Sequence, residues 1–180
     1  MKRPLADDHA EIDCLLEEFF AALAARDVEM IYRTLDFFWA RLAMHIRAEH
    51  LHLFPAILDA VKTQTAENVS LPSLTEARNA INELHDDHNF FMSELLAAIK
   101  TLRELRENNA VADFSNRIEK VRDAVVSVKR RLETHNQIEE TEVYRWAERL
   151  LSAPESAALD ERMRREITNL PPRFGISAGS

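Results

Sequence analysis

Glycine is nearly missing from this chain: two residues of 180, Gly175 and Gly179, both within the last few positions. A β-protein punctuated by tight turns is therefore excluded. Long stretches of Ala, Leu, Glu and Arg favour helix instead. Cysteine is represented by Cys14 alone, which rules out an intrachain disulfide and argues against a thiolate-rich zinc site. Cys14 falls well off the helical face of His9 and reads as an ordinary helix residue. Basic charge is short as well. With 23 Lys and Arg against 31 Asp and Glu, the net charge is -8, which argues against nucleic acid or an anionic membrane as a main partner. No apolar run reaches transmembrane length, and none follows Lys2 and Arg3 as a signal peptide would require. A cytoplasmic protein is expected.

What the chain does have is helical periodicity. The first helix is expected over about Leu5 to Ala25. A second, capped by Asp27, runs to about Thr63, with Pro55 kinking it or marking a local break. Polar residues from Gln64 to Pro72 form a loop. Ser73 and Glu76 make a capping box for a third helix ending near Asn108 and Asn109. The fourth helix spans about Asp113 to Leu151. Ser152, Pro154 and Glu155 open a short fifth helix to about Thr168. The tail from Leu170 to Ser180 is expected to wrap the surface or to be disordered. The fold class expected is all-α. Residues 1–151 form an up-down-up-down antiparallel four-helix bundle, and residues 152–180 form the C-terminal helix and tail.

Each of the four long helices carries one apolar stripe with 4-3-4-3 spacing. Polar residues interrupt every stripe. His9 sits between Leu5 and Ile12, and His88 between Leu84 and Phe91. Helix 2 passes from Leu42 to His45, Glu49 and His52; helix 4 passes from Leu132 to His135 and Glu139. Imidazole and carboxylate inside an apolar stripe must be paired or must bind something. At about 1.5 Å per residue, His9 lies about 24 Å and His45 about 27 Å from the first turn, and the remaining histidines match across the other turns. The four thus fall at one height. Within each His-x-x-x-Glu pair, both side chains share a face. Asp7-Asp8-His9 echoes Asp86-Asp87-His88, and His45-x-x-x-Glu49 echoes His135-x-x-x-Glu139, so a pseudo-two-fold site is expected. Imidazole and carboxylate without thiolate suit Fe, Mn, Zn or Co, and two carboxylates in a dry core suggest two ions that both bridge.

Several neighbours stay open at this point. His85, at i−3 from His88, is either a further ligand or a bystander. His52, at i+7 from His45, could ligate, support a ligand or pair with Glu142. His50 points elsewhere and is expected to be exposed, and Glu140 to be solvated or to support a ligand. Capping, solvent-facing and ligand-supporting roles are all available to Asp8 and Asp87. Trp39, Trp146, Phe37, Phe38, Phe90 and Phe91 read as core.

The ordered set resembles the hemerythrin-like family, the HHE cation-binding domains: one His on helix 1, His-x-x-x-Glu on helix 2, one or two His on helix 3, His-x-x-x-Glu or a variant on helix 4. The resemblance covers roughly residues 5 to 150. The family's Glu-Glu-x-x-Leu-Phe-Pro run appears as Glu49-His50-Leu51-His52-Leu53-Phe54-Pro55. Oxygen-carrying hemerythrins have His-x-x-x-His on helix 3 and Asp on helix 4, where this chain has His85-x-x-His88 and Glu139. The resemblance implies a metal ligand set of His9, His45, Glu49, His85, His88, His135 and Glu139. It implies two Fe ions, oxo- or hydroxo-bridged, with Mn or Zn as alternatives. It further implies binding or sensing of O2, NO or peroxide, or iron handling. Two alternatives stand beside this: a di-iron redox enzyme reducing peroxide or NO, and an interaction module with a structural metal. A small diatomic ligand or peroxide is the expected partner, and a homodimer is possible through the terminal helix.

Overall fold

The structure, a computed structural model, describes residues 4–64, 71–107 and 113–174. Most of the expected Gln64–Pro72 loop, the helix end near Asn108 and Asn109, and the final tail residues lie outside that set. Every regular element among the described residues is helical: α1 (Pro4–Ala25), α2 (Val28–Ala48), α3 (Phe54–Lys62), α4 (Leu74–Glu107), α5 (Phe114–Ile138), α6 (Tyr144–Leu150) and α7 (Ala153–Ile167). Helix α1 packs on α2, α2 on α4, α4 on α5, and α5 on α1, which makes a helical bundle. None of these helices is long and apolar enough to cross a membrane.

The caps follow the sequence. Asp27 accepts from the Met30 amide at 3.0 Å. The Glu76 carboxylate accepts from the Ser73 amide at 2.8 Å, while the Glu76 amide donates to the Ser73 hydroxyl at 3.2 Å. A second capping box, Ser152 with Glu155, opens α7.

A local break does occur next to Pro55, but its form is not a proline kink. A single π turn, Glu49–Leu53, joins α2 to α3, and the Phe54 amide donates to the Glu49 carbonyl. The fourth long helix has the same turn at Glu139–Val143, where the Tyr144 amide donates to the Glu139 carbonyl. That segment contains no proline. Pro55 occupies the first turn of α3, where its missing donor is tolerated, and is not the cause of the break. The shared feature is a glutamate at the first position of each turn. A π turn inserts one extra residue and rotates everything after it, and such turns occur frequently at functional sites.

Apolar burial falls into two clusters. One contains Ile12, Leu16, Phe38, Leu42, Phe91, Leu95, Val128 and Leu132. The other contains Leu5, Leu53, Phe54, Ile57, Ile81, Leu84, Val143 and Ala147, and is closed by Leu159, Met163 and Ile167 of α7. Each fully buried aliphatic or aromatic side chain contributes roughly 1.5–3 kcal/mol. Helix α7 covers α2 and its π turn, held by Arg41 donating to the Ile167 carbonyl at 3.1 Å and by the Arg47–Glu166 pair. Past it, Arg173 grips Asp36 of α2 with two hydrogen bonds of 3.1 and 3.2 Å, and Phe174 lies against Phe37. The two clusters are separated by a layer of polar side chains.

Candidate metal centre

That layer contains His9 from α1, His45 from α2, His88 from α4 and His135 from α5, with Glu49 and Glu139 from the two π turns. All six are buried, and both glutamates are 0% exposed. The carboxylates link the two halves. Glu49 has Oε1 3.3 Å from His45 Nε2 and Oε2 3.2 Å from His88 Nε2. Glu139 has Oε1 3.2 Å from His135 Nε2 and Oε2 3.3 Å from His9 Nε2. The imidazoles pair at Nε2: His9 with His45 at 3.3 Å, His88 with His135 at 3.0 Å.

The outer ring nitrogens are each engaged. His45 Nδ1 donates to Asp8 at 2.8 Å, and His135 Nδ1 donates to Asp87 at 3.0 Å. His9 Nδ1 donates to Glu140 at 3.0 Å. His88 Nδ1 lies 2.8 Å from His50 Nε2. Burial, with His88 and His85 close by, pushes the His50 pKa down to about 4, and with its own proton on Nδ1 the neutral ring accepts from His88. An Nδ1–H engaged outward leaves Nε2 as a bare lone pair directed inward. Each aspartate is held in turn by an arginine one turn before the histidine it serves: Arg41 pairs with Asp8, and Arg131 with Asp87.

Four lone pairs and two carboxylates therefore converge in a dry layer. Glu49 Oε1 and Oε2 and Glu139 Oε1 are buried and accept no well-aligned hydrogen bond among the described residues. Such a set costs several kcal/mol unless positive charge enters it. Without a metal, protons supply that charge. Burial alone would lower the His45 pKa, but the Glu49 carboxylate and the Asp8 hydrogen bond outweigh it and raise it to about 10. His135 is likewise opposed by burial and raised by Glu139 to about 9. Glu139, though desolvated, is held well below the usual carboxylate range by His135.

The spacing is also one that a shared cation would accept. Two donors about 2.1 Å from one ion, at right angles, are about 3.0 Å apart. The nitrogen and oxygen contacts here run from 3.0 to 3.3 Å. Two ligand groups result, His9–His45–Glu139 and Glu49–His88–His135–Glu139, each able to hold a metal ion. With nitrogen and oxygen donors and no thiolate, they suit first-row metals such as Fe, Mn, Co or Zn.

The structure places the sequence candidates as follows. His9, His45, Glu49, His88, His135 and Glu139 come together. His85 does not join either group; its ring lies 4.2 Å from that of His50 and 5.4 Å from that of Phe54. His52 is turned off the stripe, with Nε2 3.9 Å from Glu166 of α7 rather than against Glu142, which is exposed. The physical reason is the π turn: its extra residue rotates His52 and Glu142 outward and buries the adjacent pairs Leu53–Phe54 and Val143–Tyr144. The same rotation corrects the reading of His50. It is exposed, as expected, yet its Nε2 reaches inward to His88. Arg41, Arg131 and Tyr144 were missed, and Asp8 and Asp87 lacked a role. A signal existed: Arg-x-x-x-His-x-x-x-Glu occurs at both Arg41 and Arg131. Cys14 is exposed, away from the layer. Compared with family models, curated proteins and solved structures, the chain matches none.

Proposed function

We propose that this chain is a dinuclear non-haem iron protein of hemerythrin-like type, built on an up-down-up-down four-helix bundle. In this reading it binds or senses O2, NO or peroxide, or handles iron. The observation that carries the proposal is the converging set of four Nε2 lone pairs and two carboxylates, with three buried carboxylate oxygens lacking a hydrogen bond. Each glutamate has one oxygen toward each histidine pair, the arrangement that lets both bridge two ions.

His9 and His45 would hold one ion, His88 and His135 the other, with Glu49 and Glu139 shared. Two iron ions would supply reversible binding of, or electron exchange with, a small oxygen or nitrogen ligand. The rest belongs to the chain. Asp8, Asp87 and Glu140 fix ring orientation and keep the Nδ1 protons outward, and such partners strengthen ligand basicity. Arg41 and Arg131 hold the aspartates in place. Phe91, Leu42 and Leu132 on one side and Leu84, Phe54 and Val143 on the other keep bulk water out.

Elemental analysis with an absorption spectrum of the protein purified in air tests this. About two irons per chain and a near-ultraviolet oxo-to-iron band that azide shifts are expected. No metal after expression in iron-replete medium would sink the proposal. Two tightly held ions of a redox-inert metal, with no response to azide, would favour the structural-metal alternative instead.

A further inference from the structure

The two halves of the layer are not chemically alike, and the difference is concentrated at one residue. We propose that the Tyr144 hydroxyl is a further oxygen donor to the cation position at His9 and His45, so that a small exogenous ligand is taken at the other position, beside His88 and His135. This rests on the dinuclear reading above.

Tyr144 follows the second π turn directly and its side chain is turned into the layer. Its hydroxyl oxygen is 3.3 Å from His9 Nε2 and 3.1 Å from Glu139 Oε2, the spacing the other donors keep from one another. In the first half of the repeat, the residue five positions after the bridging glutamate is Phe54. The Phe54 ring stacks on His88 with centroids 6.2 Å apart and offers only carbon. With both glutamates bridging, the first position would gather His9, His45, Glu49, Glu139 and Tyr144; the second would gather His88, His135, Glu49 and Glu139, with no donor in the place that Tyr144 takes in the first.

The imbalance extends outward. Behind His45, Asp8 is 2% exposed and Arg41 12%; behind His135, the side chain of Arg131 is 43% exposed. His9 is backed by the carboxylate of Glu140 and His88 by the imidazole of His50, both of them exposed residues. The added phenol oxygen secures the first ion. One donor fewer leaves the second ion free to accept a small molecule. On coordination the Tyr144 O–H bond breaks heterolytically: the oxygen keeps the electron pair and the proton leaves to solvent.

The test uses the full chain loaded with iron and oxidised in air. Wild type should show a visible phenolate-to-iron(III) charge-transfer band with matching resonance Raman modes of the phenolate. Tyr144→Phe should keep two irons and lose that band. Adding Phe54→Tyr to this variant should restore a phenolate band and weaken azide binding, because the donor now occupies the ligand-accepting position. With zinc(II), which avoids redox chemistry, Tyr144→Phe should release one proton fewer per chain than wild type. Two irons without a phenolate signature, or a band unchanged in Tyr144→Phe, overturns this assignment alone. A wild-type chain that takes up no metal overturns it together with the dinuclear reading.

Discussion

Cation binding to the metal-free protein should expel protons in a number set by the site. In the absence of metal, two positive charges sit on His45 and His135, whose pKa values are raised to about 10 and about 9. At pH 8 those values correspond to occupancies of about 0.99 and about 0.91, a total of about 1.9 protons. An ion bound at each Nε2 needs the lone pair and must displace the proton, while Nδ1–H remains with Asp8 or Asp87. At pH 9.5 the occupancies fall to about 0.76 and about 0.24, or about one proton in total. The Tyr144→Phe protein isolates the histidine contribution, since no phenol can add to it. Titration calorimetry with zinc(II), in buffers of different ionisation enthalpy, reads the proton number from the slope of apparent enthalpy against buffer enthalpy. About 1.9 protons at pH 8, falling to about one at pH 9.5, is expected with two ions bound. Two ions bound at pH 8 with less than one proton released would show that the imidazoles are neutral beforehand. The argument that protons stand in for the metal would then fail.

The same titrations govern the stability of the metal-free chain. Because both folded pKa values lie above the ordinary histidine value, their contribution is complete below about pH 6.5 and is lost as pH rises through about 9 and then 10. Its melting temperature should therefore fall between pH 8 and 10, and a flat profile would contradict the assignment. Chelation under reducing conditions should lower the melting temperature of the loaded protein, as mass action requires; an unchanged curve for protein shown to be metal-free counts against a buried site. Asp8→Asn and Asp87→Asn should each weaken zinc(II) binding by about 10–100-fold, measured by competition with a chromophoric chelator, while His52→Ala leaves it as in wild type. Phe91→Ala, at the floor of one core cluster, should cost about 3–5 kcal/mol in denaturant unfolding of the metal-free chain.

Much of this was legible before any coordinates. The 4-3-4-3 stripes identified the helices and the faces they bury, because a single amphipathic period leaves few alternatives. Asp27, the Ser73–Glu76 pair and the Ser152–Glu155 pair marked helix starts, because capping is a contact between near neighbours in sequence. The echo between the two halves, together with histidines at one height, pointed to six residues that the structure brings together.

Less legible was everything that depended on rotation about a helix axis after Glu49 and Glu139. Periodicity with a fixed step places His52 on the buried stripe and His50 off it. The structure turns His52 toward Glu166 and brings His50 Nε2 to His88, because a π turn adds one residue to the count. A trace of this does exist in the sequence: Leu53–Phe54 and Val143–Tyr144 are adjacent large apolar pairs, which an unbroken α-helical stripe would not bury together.

The sequence by itself determined which residues form helices, which face each helix hides, and that imidazole and carboxylate share the hidden face at one level. Those properties follow from local hydrogen bonding and from the solvent preference of each side chain. Only the tertiary structure decided that Asp8 serves His45 rather than its own neighbour His9, that Glu140 and His50 back different histidines, and that Tyr144 reaches the layer where Phe54 cannot. Those pairings join residues 37 to 135 positions apart, or contrast two halves that repeat. They exist only once helix packing fixes the distance and the rotation between one axis and the next.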